Sequence, residues 1–267
     1  MKKIVDTIRI MYKGYGDVIK VKPIADVHYG SKNCDIKALY NHLGTPDKNT
    51  FFLGLGDFMD NIIVSDTKRY RKVSDAIESE DIIGESVTFW ANLLKPFKSQ
   101  VIGLGIGNHE DNIIKRCSVN PMKMLCDILD VPYLGYSFMV RLILSTVSGG
   151  GRTIIIRGHH GWGMGGRTIG GELTKYSRDA SMFDADIFLY GHTHRLQTDT
   201  MPRLAIVGNR LVSKEKHIVL CGTFLKTFSD GTDCTYAEAM GLPPAKIGAP
   251  TINIKPNDTW CKINIEV

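Results

Sequence analysis

Short apolar runs, each emptying into glycine and polar residues, punctuate the first two-thirds of the chain. Phe51-Phe52-Leu53-Gly54-Leu55 runs into Gly56-Asp57, and 101–106 runs into Gly107-Asn108-His109. Residues 153–156 lead to His159-His160, and 185–190 lead to Gly191-His192. Runs this short, bounded by glycine, read as buried strands. Residues 4–12 alternate, Lys13-Gly14-Tyr15-Gly16 supplies turn chemistry, and 17–25 is again strand-like, which predicts a hairpin. Asp26 and His28 then sit just past a strand end. Five strands thus deliver polar residues at their C-terminal ends, the edge where ligand sites form in sheets with helical crossovers.

The intervals carry helical periodicity. In 81–95 the apolar residues Ile83, Val87, Trp90 and Leu94 share one face, and Pro96 stops the run. Further helices are predicted over 66–79, which is polar and basic, over 110–117 with Asn108 as candidate N-cap, and over 121–129 and 171–182. Past His194 the pattern turns to strands near 203–208, 216–225, 251–255 and 260–266. With no repeat, low-complexity tract or linker, one domain over 1–267 is expected, its core motifs in 20–195 and a β-rich part, 200–267, completing it.

Composition narrows the class only a little. The chain has 267 residues, 43% hydrophobic and 23% charged, so disorder is not indicated and a full core can be buried. A net charge of +5 permits a polyanionic partner without demanding one. The densest basic clusters, Lys68-Arg69-Tyr70-Arg71-Lys72 and Lys115-Arg116, read as solvated helix faces, with contact to a substrate phosphate or nucleic-acid backbone as the other reading. Six scattered cysteines show no zinc-finger spacing and fit free thiols in a reducing compartment. No apolar run approaches the ~18 residues of a membrane span, and the charged residues after Met1-Lys2-Lys3 are unlike a signal peptide. A cytoplasmic protein without membrane contact is expected; oligomeric state is unread.

The chemistry lies in the histidines. Six of the eight fall in four clusters: Asp26-Val27-His28, Gly107-Asn108-His109-Glu110, Gly158-His159-His160-Gly161 and Gly191-His192-Thr193-His194. Singly these are weak signals: a surface pair, a helix cap, a turn with exposed imidazoles. Jointly, with Gly56-Asp57, they occupy the same structural position after successive strands. Carboxylates, imidazoles and one carboxamide form an N/O donor set for divalent metals. In a turning segment residues i and i+2 can face one side, so Asp26 and His28 can share an ion while His192 and His194 serve adjacent ones. Two ions need a bridge, for which Asp57 is the candidate, and a hydroxide shared between them becomes a nucleophile at neutral pH. His109 is placed to handle the proton of a leaving oxygen.

The ordered set Asp26-x-His28, Gly56-Asp57-x-x-Asp60, Gly107-Asn108-His109-Glu110, His160-Gly161 and Gly191-His192-x-His194 resembles the calcineurin-like metallophosphoesterase superfamily. The resemblance spans residues 26–194 and implies an α/β fold, a four-layer αββα sandwich of two mixed β-sheets with flanking helices. It implies a first metal held by Asp26, His28, Asp57 and His194, and a second held by Asp57, Asn108, the fourth-block histidine and His192. His109 would be the catalytic acid or transition-state stabiliser. His160-Gly161 matches the superfamily's His-Gly form and is the expected ligand, with His159 the alternative. Asp60 and Glu110 would orient ligands, Glu110 otherwise favouring a helix start. Arg167, in a loop with six glycines in eleven residues, would grip a phosphate or simply face solvent. This loop and the later 222–228 and 236–238 look, more loosely, like the superfamily's phage and mobile-element branch.

The implied activity is hydrolysis of phosphodiesters by a metal-bridging hydroxide. A DNA or RNA nuclease is the alternative, and a non-catalytic binding scaffold ranks lower because every ligand position is filled. Two divalent ions are expected, manganese first, with zinc, iron, nickel or cobalt as other ions such donors take. The partner is a phosphoester substrate, with nucleic acid a further candidate.

Overall fold

Phe52 and Leu53 are neighbours in sequence and both fully buried. A strand can achieve that only where both faces of its sheet are covered, because successive side chains point to opposite faces. The computed structural model describes residues 6–63, 65–66, 81–146, 149, 151–163, 165–166, 168–228, 234–257 and 260–267. The helix expected over 66–79, apart from Asp66, the basic cluster 68–72 and Arg167 lie outside the described residues.

The chain begins with β1 (Asp6–Tyr12), β2 (Ile19–Ile24), α1 (Ile36–Leu43), β3 (Thr50–Gly54) and α2 (Ile82–Leu94). Next come β4 (Val101–Gly105), α3 (Asn108–Cys117), α4 (Pro121–Leu129), β5 (Tyr133–Gly135), β6 (Ser137–Thr146) and β7 (Gly151–His159). The remainder is α5 (Gly171–Met182), β8 (Ile187–Tyr190), β9 (Leu196–Val207), β10 (Arg210–Cys221), α6 (Tyr236–Ala239), β11 (Thr251–Pro256) and β12 (Cys261–Glu266).

Two six-stranded mixed sheets result, ordered β1-β6-β7-β8-β10-β9 and β12-β11-β2-β3-β4-β5. Between them lies a core that includes Ile10, Val21, Leu53, Ile102, Val140, Ile156, Ile187, Val219 and Ile254. On the outer face of the second sheet Leu39 of α1, Trp90 of α2 and Leu125 of α4 pack with Phe52 and Leu104. On the outer face of the first, Tyr176 and Ala180 of α5 pack with Phe188 and Tyr190. The four layers are helix, sheet, sheet, helix. The part after residue 195 supplies two strands to each sheet.

The hairpin expected at the N-terminus does not form. β1 pairs in parallel with β6 in one sheet, and β2 pairs with β3 and β11 in the other. The turn chemistry is real, with the Asp17 amide donating to the Gly14 carbonyl at 3.0 Å. It makes an arch between sheets, which lets Ile10 and Tyr12 face Ile19 and Val21 across the core instead of lying beside them. The α-helix over 82–94 does end just before Pro96, and the chain then tightens into a 3₁₀ segment, Lys95–Gln100, with proline in its first turn, where a missing N–H leaves no bond unmade. Helix starts follow side-chain caps, Asp35 accepting from the Ala38 amide, Asp81 from Gly84 and Asn120 from Lys123. Among the described residues no helix is long and apolar enough to cross a membrane.

His42, on α1, is a structural histidine. Its Nε2 donates to the Pro23 carbonyl at 2.9 Å, while burial and neighbouring Lys22 push its pKa down to about 4. Between pH 6.5 and 4 the unfolded imidazole binds a proton that the native one refuses, so stability falls as pH drops through that window. His42→Gln is expected to flatten this acid limb by up to about 3 kcal/mol, read from urea midpoints at pH 7 and pH 4.5. Parallel wild-type and variant profiles would contradict it.

Candidate metal centre

The strands β2, β3 and β4 of one sheet and β7 and β8 of the other end on the same side of the sandwich, and their following residues meet there. Asp26 and His28 follow β2, Asp57 and Asp60 follow β3, Asn108 and His109 follow β4, His160 follows β7, and His192 and His194 follow β8. The loops are pinned to one another through backbone bonds. The Val27 and His28 amides donate to the Asp57 carbonyl at 2.8 and 3.0 Å, and the Gly191 amide to the His160 carbonyl at 2.8 Å. The carbonyl of Asp26 accepts from Thr223 Oγ1 at 2.7 Å and from the Phe224 amide at 3.0 Å. Lys115 pairs with Asp111 one turn back, and Arg116 reaches Asp66 at 3.6 Å, so this basic pair belongs to the surface of α3.

Two triples of donor atoms form, each within 4.8 Å: Asp26, His28 and His194, and Asp57, His160 and His192. A third, His28, Asp60 and His109, flanks the first. Asp57 lies between the two halves, its Oδ2 3.3 Å from His160 Nε2 and 4.0 Å from His28 Nε2. Asn108 Oδ1 faces His160 Nε2 at 3.0 Å and His192 Nδ1 at 2.7 Å. His109 stands at the edge, its amide donating to Asp57 Oδ1 at 2.8 Å and its Nδ1 to the Asp60 carbonyl at 2.7 Å.

The outer nitrogens of the imidazoles fix which nitrogen looks inward. His160 Nδ1 donates to the Leu55 carbonyl at 3.0 Å and His192 Nε2 to the Gly163 carbonyl at 2.9 Å. His28 Nδ1 is 3.2 Å from Asp60 Oδ1. Each ring therefore turns a lone pair toward acceptors that also carry lone pairs, an arrangement that needs a cation between them. Asp26 Oδ1 is buried with no hydrogen-bond partner, and it points at His194 Nε2 from 3.5 Å. This orphaned oxygen among imidazoles and an amide oxygen fits divalent metal. Burial opposes charge on His160, but Asp57 outweighs it and pushes the imidazole up to about 9. Burial likewise opposes ionisation of Asp57, yet His160, His109 and His28 hold it well below the usual carboxylate range.

Glycine makes the crowding possible. Gly56 is left-handed (φ 101°), and a Cβ there would fall 2.1 Å from the Gly107 nitrogen; one on Gly107 would fall 2.1 Å from Asp57 Oδ1. Asp26, His28, Asp57, His192 and His194 have no such freedom, yet all five have φ between 50° and 70°, among eight described non-glycine residues with positive φ. Such backbone costs on the order of 1 kcal/mol or more per residue and clusters at functional sites.

A family model described as calcineurin-like phosphoesterase matches residues 19–196. The chain belongs to that family. No curated protein sequence matches it significantly. Among solved structures it is similar to a predicted phosphoesterase from Streptococcus pneumoniae, at 13% identity and a TM-score of 0.30, covering 93% of this chain and 89% of that one. It is similar also to a double mutant of Vps29 from Entamoeba histolytica, at 13% identity and a TM-score of 0.36, covering 94% and 98%. Family membership and the two donor triples support a metal-dependent phosphoesterase.

Within this family member the adjacent histidines part ways. Alternation at the end of β7 turns His160 into the cluster, while His159 lies against Tyr136 and Trp162, with ring centroids 5.5 and 4.9 Å away. His159 Nδ1 accepts from the Gly161 amide at 2.8 Å, and burial and Arg157 lower its pKa to about 4. Asn108 is the first residue of α3 and Gly107 its N-cap, so Asn108 does not cap the helix. Its oxygen faces the imidazoles instead.

None of the hydrogen bonds of Glu110 among the described residues goes to an imidazole. Fully buried, it accepts from four backbone amides: Asp57 at 3.0 Å, Phe58 at 2.8 Å, Met59 at 3.1 Å and Gly107 at 2.9 Å. It thereby caps α3 and fixes the Asp57 loop at once. Glu110→Ala strands these donors and is expected to destabilise the metal-free protein by about 4 kcal/mol or more in urea titration. A loss under about 1 kcal/mol would show that water replaces the carboxylate at little cost. Neither Glu110's four amides nor the Thr223 bond to the Asp26 carbonyl had a local signal beyond the GNHE motif and the 222–228 loop.

Proposed function

We propose that the chain is a two-metal phosphodiesterase, the reading supported by one observation above all: two Asp/His triples on either side of Asp57, with His109 alongside. Asp26, His28, Asp57 and His194 would hold one ion, and Asp57, Asn108, His160 and His192 the other. Bound divalent ions, manganese first and zinc, iron, nickel or cobalt as alternatives, supply Lewis-acid polarisation of the phosphoryl oxygens and acidify water. The chain's own residues do the rest. Asp60 orients His28 and His109; the Leu55 and Gly163 carbonyls set the tautomers of His160 and His192; His109 handles the proton of the departing oxygen.

Nuclease activity is the second reading, and a substrate-binding scaffold without turnover the third. Metal-stripped protein reloaded separately with Mn, Zn, Ni, Co or Fe is expected to hydrolyse bis(p-nitrophenyl) phosphate faster than p-nitrophenyl phosphate. Monoester preference would overturn the diester assignment, and no turnover with any metal would favour the scaffold.

A further inference from the structure

A cavity of about 460 Å³ opens between Trp162 and one side of α5, lined by Trp162, Thr174, Lys175, Arg178, Asp179 and Met182. Its link to the proposed centre is the residue after Trp162, Gly163, whose carbonyl accepts from His192 Nε2 at 2.9 Å. The Trp162 ring is fixed edge-on by His159 and Tyr176, both with centroids at 4.9 Å, and by Tyr190 at 6.0 Å. It remains 38% exposed, and Met182 is 78% exposed.

The charges are lopsided. Lys175 Nζ donates to the Trp162 carbonyl at 2.6 Å and lies 5.6 Å from the ring centre. Arg178 is exposed and has no ion pair among the described residues. The one acid, Asp179, is engaged from the other side by the Tyr190 hydroxyl at 2.6 Å and by Arg157 at 3.6 Å. A rigid, partly open indole, a polarisable thioether and two cations select a planar ring carrying phosphate.

We propose that this cavity seats the nucleoside flanking the scissile phosphate, its base against Trp162 and Met182 and its outer phosphate on Lys175 and Arg178. The inference rests on the phosphodiesterase reading and names its substrate class, a nucleotidyl diester. Base stacking on an aromatic side chain is commonly worth about tenfold in affinity.

Two measurements separate the two ideas. With metal-loaded enzyme, kcat/KM for thymidine 5′-(p-nitrophenyl phosphate) over that for bis(p-nitrophenyl) phosphate is expected to drop about tenfold in Trp162→Ala. With metal-free protein, which needs no turnover, anisotropy of a fluorescein-labelled thymidine octamer is expected to report binding weakened about tenfold by Trp162→Ala and by Arg178→Glu. Competition by thymidine monophosphate marks a seat for one nucleoside; competition by unlabelled octamer alone marks a strand. An unchanged ratio together with octamer binding that is absent or indifferent to both substitutions overturns the cavity's role. Loss of turnover with octamer binding intact overturns the phosphodiesterase reading instead.

Discussion

Asp57→Asn is expected to lower turnover of bis(p-nitrophenyl) phosphate by more than about 10²-fold, since loss of mere supporting partners of metal ligands already costs 10–100-fold. The same protein should carry less manganese by elemental analysis. Asp57 Oδ2 faces an imidazole of each triple, His160 at 3.3 Å and His28 at 4.0 Å, so this carboxylate serves both halves. An amide of the same shape keeps the oxygen but loses the charge, and it brings two N–H donors toward nitrogens that already need a cation. The His109 amide bond to Oδ1 can survive, so the backbone is not expected to move. Full metal content and near-normal turnover in the variant would refute a bridging role. Loss of metal with the urea midpoint of metal-free protein unchanged would locate the defect in the centre.

His109→Ala should separate chemistry from metal binding. His109 is not in either proposed ligand set, and its Nδ1 is committed to the Asp60 carbonyl at 2.7 Å, with Asp60 Oδ1 3.3 Å away. That holds the ring at a fixed angle beside the two triples. The variant is expected to keep its metals while turnover of a poor leaving group falls about 10²–10⁴-fold, the usual worth of a positioned general acid. With p-nitrophenolate, which departs without protonation, the loss should be smaller. An equal loss for both leaving groups would reassign His109 to holding the phosphoryl oxygens, and unchanged turnover would remove it from the reaction.

The strand-end blocks were legible because each joins a local signal, an apolar run, to a donor residue just past it, and the two sheets bring those ends together. The helix over 171–182 was legible to the residue. What stayed hidden depends on distant pairing. Residues 4–25 alternate like a hairpin, but whether such strands pair or part is decided by β6 and β11, which lie more than a hundred residues away. Strand β6 itself was not anticipated, and neither was α1. Glu110 showed acid beside a helix start and nothing of the Asp57 loop it binds. For His159 and His160 sequence offered the motif alone, while the side each ring faces came from the pairing of β7.

The left-handed backbone of Asp26, His28, Asp57, His192 and His194 also constrains substitution there. Glycine would relieve backbone strain at each of these positions, yet at Asp26 and Asp57 it would strand the His192 and His109 amides that their carboxylates accept from. Backbone strain and side-chain bonding thus oppose each other at the donor positions, so removing a donor does not by itself relax the fold.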